Sequence, residues 1–257
     1  MTVVTSGLRS IKGRIRRLIV RDQKPRTDLL TVPIERCRHY NGYKYGSSAF
    51  NPYENYIVGL YRGVDRAVLR DRFEDFLLHF RPRDLGELLQ VPLAHKVPMW
   101  VYPWDANAPV RPNGGWVDKV TDVPDIITHF CEEGVRRSKI TGEYFWLERA
   151  YDTIATMGYQ PRRFSYITVF ELRDGAQSVF IVKDGNHRLG SLAAFGHTHV
   201  LVERDRRNII DVSHHARWPH VISGRYSPGD AVALFRTYFR GVDDFARAAV
   251  PATLLDD

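Results

Sequence analysis

Residues 142 to 205 narrow the fold more than any other stretch, because three kinds of patterning follow one another there without a gap. In GEYFWLERAYDTIATMGYQP, Tyr144 or Phe145, Leu147, Tyr151, Ile154 and Met157 recur at helical spacing. The pattern stops at Gly158, with Pro161 just beyond, which is how helices commonly end. SYITVFELRDGAQSVFIVKDG then gives two β-rich runs joined by Arg-Asp-Gly-Ala, a hairpin signal. HRLGSLAAFG returns to helical spacing and HTHVLVERD to strand. Helix, hairpin, tight turn, helix and strand are expected in that order, an α+β arrangement.

The turn inside this run is the most polar part of it. Asp184, Gly185, Asn186, His187 and Arg188 stand where the second hairpin strand hands over to a helix. A helix N-terminus presents unpaired N–H groups and a partial positive charge, so it receives phosphate readily. Gly185 allows a positive φ or a close approach by an oxyanion. Arg188 offers a planar fork to phosphate oxygens and His187 a hydrogen bond. The alternative is structural: Asp184 or Asn186 caps the helix and Arg188 pairs with a nearby acid.

Charge sharpens the choice of partner. The chain has 257 residues, 37 Lys and Arg against 30 Asp and Glu, and a net charge of +7. Eight of those bases and one acid lie in residues 1–26, leaving 29 of each sign in the rest. A neutral body disfavours a phosphate-tracking groove and therefore nucleic acid. In the arm, Val4, Leu8, Ile11, Ile15, Leu18 and Ile19 form one apolar stripe among the bases. Such a helix packs on its own domain, lies on an anionic membrane surface or fits a partner. Two cysteines, Cys37 and Cys131, are too few for a disulfide framework. With no apolar run of about 20 residues, a cytoplasmic protein is expected, peripheral at the inner membrane if the arm docks there.

Helix-Gly-x-x-Pro, hairpin, Asp-Gly-x-His-Arg, helix with small residues, Gly and strand together resemble the core of the ParB/sulfiredoxin superfamily. The matching pieces are TIATMGYQP, FIVKDGNHRLGSLAAFG and HVLVE, with TVPIERCR similar to that fold's first strand. The whole chain also resembles uncharacterised proteins associated with bacterial surface-polysaccharide genes, through FNPY, a Pro-Trp loop and WPHVISGRYSPGDAVALFRTYF. The superfamily resemblance implies a nucleotide held at residues 184–188, ATP or CTP with Mg²⁺. Asn186 stands at the level of the sulfiredoxin cysteine, which argues against sulfinic-acid repair. The Arg-rich signature of partition proteins is absent too.

Of the activities that the superfamily resemblance implies, the one left is phosphoryl transfer to a small hydroxylated molecule, sugar-like or a glycan precursor. That chemistry needs a carboxylate near the acceptor hydroxyl and cations for the transferring group. The catalytic candidates are Glu143 at the helix start, Glu35 after the first strand, Glu54 in NPYENY, and Asp184. Arg149, Arg217 and Tyr45 are the candidate substrate contacts, Tyr45 within the Tyr-rich HYNGYKYG. His197 with His199, and His214 with His215, lack a third ligand, so no metal site is expected.

The chain accordingly divides into the arm 1–26, a first strand and Tyr-rich loop 27–49, a helical insertion 50–137, the α+β core 138–206 and a helical tail 207–257 packed on it. The expected function is a nucleotide-dependent kinase or phosphotransferase in cell-envelope polysaccharide metabolism. The alternatives are a non-catalytic nucleotide- or phosphate-binding scaffold at the inner membrane, and a nucleic-acid-binding or nuclease protein of ParB type.

Overall fold

A computed structural model describes residues 27–46, 51–106 and 137–242; the basic arm, Cys131 and residues 243–257 lie outside them. The protein is mixed α/β, with a five-stranded mixed sheet in the order β1-β5-β3-β4-β2. β1 is Thr27–Pro33, β2 Cys37–Arg38, β3 Ile167–Asp174, β4 Gln177–Asp184 and β5 His199–Asp211. β1 runs antiparallel to β5, β5 parallel to β3, β3 antiparallel to β4, and β4 parallel to β2. The hairpin turns at Gly175, whose φ is 58°.

The expected single strand over 28–40 is broken. Pro33, with φ −63°, ends β1, and a 3₁₀ turn over Ile34–Arg36 leads into β2. Proline has no N–H for a ladder, and the next N–H, of Ile34, turns to Thr198 O at 2.9 Å. β1 and β2 are nevertheless the two outer strands of the sheet. Flat, those edges would lie about 19 Å apart, four inter-strand spacings. The four residue steps from Pro33 to Cys37 reach at most about 14 Å. The sheet therefore curls, bringing its edges toward each other like an open barrel.

Among the described residues the helices are α1 Pro52–Tyr61, α2 Arg66–His79, α3 Leu85–Leu89, α4 Arg137–Met157, α5 Pro161–Phe164, α6 Asn186–Ala194, α7 Pro219–Ile222 and α8 Pro228–Arg240. Their starts follow local chemistry. Asn51, Asp65 and Ser227 accept first-turn N–H groups of α1, α2 and α8, with proline opening α1 and α8. Gly158 ends α4 at φ 70°.

Alternation along β4 divides the core. Phe180 and Val182 join Val32, Val169 and Val202 on one face, against Ile154 of α4 and Leu189 and Leu192 of α6. Val179 and Ile181 join Phe170 and Leu172 on the other, against Leu234, Phe235 and Tyr238 of α8. This second cluster continues through Trp218 into the aromatic loop at Tyr102 and into α1, α2 and α3. Trp104 and α8 thus pack within it. Among the described residues no helix is long and apolar enough to cross a membrane.

Candidate functional site

α4 crosses α6 where β4 ends, and between them opens a cavity of about 700 Å³. The turn at residues 184–188 forms one wall and the face of α4 from Lys139 to Ile154 another. Gly185 sits at φ 96° as the residue before α6. A Cβ there would stand 2.9 Å from Ile167 Cγ1 and 2.8 Å from the Arg188 guanidinium, so glycine is required for space as well as backbone. Neither Asp184 nor Asn186 caps α6, contrary to one half of the structural alternative, while its other half, the pairing of Arg188 with a nearby acid, holds through Asp184. Asn186 Oδ1 accepts instead from Tyr45 at 2.7 Å, and Asp184 accepts from Arg188 at 3.0 Å. Among the described residues the first-turn N–H groups of α6 have no side-chain acceptor.

Arg188 is committed to the chain itself. Its guanidinium donates to Phe164 O at 3.0 Å and to Ser165 O and Oγ at 2.5 and 3.1 Å, as well as to Asp184. Ser165 has φ 70°, rare for a residue with a Cβ. Arg188 therefore clasps a strained turn at the cavity rim rather than projecting freely into the space.

Glu143 and His187 meet in this cavity. Glu143 is buried; its Oε2 lies 2.9 Å from His187 Nε2, and its Oε1 2.6 Å from Lys139 Nζ. Burial pushes the carboxyl up, but hydrogen bonds and charge from His187 and Lys139 outweigh it and hold it near about 2. An ionised glutamate thus fixes the imidazole through Nε2, leaving Nδ1 without a partner among the described residues. The cavity cations divide cleanly. Lys139 pairs with Glu143 and Arg188 with Asp184. Lys183 and Arg149 also line the space, and neither has an acidic partner among the described residues; Arg149 lies over the Trp146 ring, 5.2 Å from its centroid.

The other sequence candidates lie elsewhere. Glu35 is exposed on the 3₁₀ turn and Arg217 on the segment after β5, both outside the cavity. Tyr45 is fully buried beneath Asn186, where it positions the turn and presents no platform. Glu54 is buried on α1, its carboxylate accepting the Gly46 N–H at 3.1 and 3.0 Å. Cys37 is enclosed, and burial pushes its thiol up to about 12, the state of an inert core residue.

Sequence reasoning passed over Lys139, Lys183 and His39, all of which line the cavity. Lys139 stands four residues before Glu143, a helical pairing distance that signals it, and Lys183 adjoins the turn. His39 has no local signal, because the β2–β4 pairing delivers it. No family model, curated protein or solved structure matches the chain.

Proposed function

We propose that the cavity binds a nucleotide by its phosphates and transfers a phosphoryl group to a small hydroxylated acceptor, sugar-like or a glycan precursor. The observation that carries this reading is the balance of charge. Once the two ion pairs are taken together, Arg149 and Lys183 remain, among the described residues, as cations without an acidic partner in the cavity that the start of α6 also lines. An anion of two charges suits that surplus. The order α4, β3–β4 hairpin, Gly185 turn, α6 and β5 supports reading this part as a ParB/sulfiredoxin-like core, with nucleotide held at residues 184–188.

In this scheme the acceptor hydroxyl gives its proton to His187 Nδ1 as its oxygen forms the new bond to phosphorus. The bond from phosphorus to the bridging oxygen breaks, and the nucleoside diphosphate leaves. Glu143, ionised and bonded to Nε2, orients the ring and stabilises the imidazolium. Glu143 thus positions the base rather than acting as the base. Among the described residues no group of three or more His, Cys, Asp or Glu side chains could hold a metal. Mg²⁺ would arrive on the nucleotide phosphates.

The test is incubation with ATP or CTP, Mg²⁺ and a panel of small hydroxylated acceptors, following transfer and thermal stability. Nucleotide should raise Tm, and Arg149→Ala with Lys183→Ala should abolish the rise. Glu143→Gln should keep binding and lower turnover by about 100-fold or more. No nucleotide-dependent shift in the natural chain would reject the reading. One observation favours the non-catalytic alternative: the Arg188 guanidinium is already engaged by Asp184 and Ser165. Nucleotide binding without transfer to any acceptor would decide for that scaffold.

A further inference from the structure

His39 follows β2 and stacks on two tyrosines, 5.0 Å from the Tyr53 ring and 5.5 Å from Tyr43, at interplanar angles of 24° and 20°. Its Nδ1 accepts the Asn41 N–H at 3.1 Å. A neutral imidazole that accepts at Nδ1 carries its proton at Nε2. The ring lines the cavity, and Nε2 has no partner among the described residues. Tyr53 is also 6.2 Å from the His187 ring, so one tyrosine stands beside both imidazoles.

We propose that His39 is a neutral hydrogen-bond donor for a phosphate oxygen of the ligand, through an Nε2–H fixed by Asn41. This rests on the phosphate-binding reading of the same cavity and adds a second imidazole of opposite character. His187 has a carboxylate behind it, Glu143 on its Nε2. His39 is built to keep the proton it has. It donates a hydrogen bond and transfers nothing.

The surroundings account for that difference. Glu143 on α4 favours a charged His39, His187 on α6 opposes one, and Tyr53 on α1 and Tyr43 on its own loop carry no charge at neutral pH. Burial is the largest influence and, with His187, outweighs Glu143; the ring is held down to about 4. A donor of this kind gives the same contact from pH 5.5 to 8, whereas an imidazolium would lose its charge across that range. The N–H is also costly to leave without an acceptor in a partly enclosed site, which a ligand oxyanion supplies.

The test uses inorganic phosphate and ATP as probes, by calorimetry at pH 5.5, 7 and 8, on the natural chain, His39→Phe and His39→Gln. Phenylalanine keeps the ring stack and removes the donor; glutamine returns an N–H at similar reach. Binding should weaken about tenfold in His39→Phe at every pH, and His39→Gln should recover most of it. Nitrogen NMR of the natural chain should give the Nε2–H tautomer throughout, with the Nε2 signal moving on phosphate addition. A His39 midpoint near 6.5, or equal binding by His39→Phe, would overturn the proposal while leaving the nucleotide reading intact. A natural chain that binds neither probe overturns both. The NMR arm needs no variant, so it decides even if His39→Phe fails to fold.

Discussion

Glu54 is a carboxylate in the wrong solvent. Burial on α1 pushes its pKa from an ordinary 4.5 up to about 7, and the bonds from Gly46 N–H only partly oppose this. The folded state therefore binds this proton more tightly than the unfolded chain does. The contribution to stability is complete below pH 4.5 and is lost as pH rises through 7, by about 3 kcal/mol in all. Glu54→Gln removes the titration and keeps an acceptor for Gly46. Denaturant unfolding should find the variant more stable than the natural chain at pH 8, with the gap closing toward pH 4.5. A gap that does not change with pH would mean that Glu54 is already ionised in the fold.

At the scale of elements, the turn into α6 concentrates what was legible in the sequence. Residues 184–188 form locally, so Gly185 and its positive φ follow from the residues themselves. Gly185→Ala should cost about 1–3 kcal/mol, from backbone strain and the contact with Ile167. Chemical denaturation measures the loss, and a neutral substitution would show that the turn relaxes freely. Other features were not legible because their causes lie far along the chain. The length of β5 beyond Asp205 depends on renewed pairing of Glu171–Arg173 with Ile209–Asp211. The burial of Tyr45 depends on Asn186, 141 residues away. His39 enters the cavity only after Cys37 and Arg38 pair with Phe180 and Ile181. α4 is already helical at Arg137, before the apolar pattern that marks it becomes strong.

Across the whole molecule, α1, α2 and α4 are tied at Glu148. Its carboxylate accepts from Tyr56 at 2.6 Å, from Arg66 at 2.9 Å, and from Arg70 at 2.8 and 2.7 Å. Burial opposes ionisation, but Arg70, Tyr56 and Arg66 together hold the carboxyl at about 2. Its contribution is thus present above pH 4.5 and lost as pH falls toward 2. Both arginines are partly exposed, so Glu148→Gln should cost about 2 kcal/mol at pH 7 rather than the full penalty of a buried orphan charge. The difference between variant and natural chain should shrink between pH 4.5 and 2, as read by urea unfolding at several pH values.

The pairing of Thr27 with Asp205 and Pro33 with His199 has a consequence for how the chain comes to be folded. During synthesis β1 leaves the ribosome well before β5, its one sheet neighbour among the described residues, exists, and that pairing cannot form until β5 has been made. Its pairing closes a very long loop, a contact that slows folding more than it strengthens the product. The earliest of these strands to be made is among the last to find its seat.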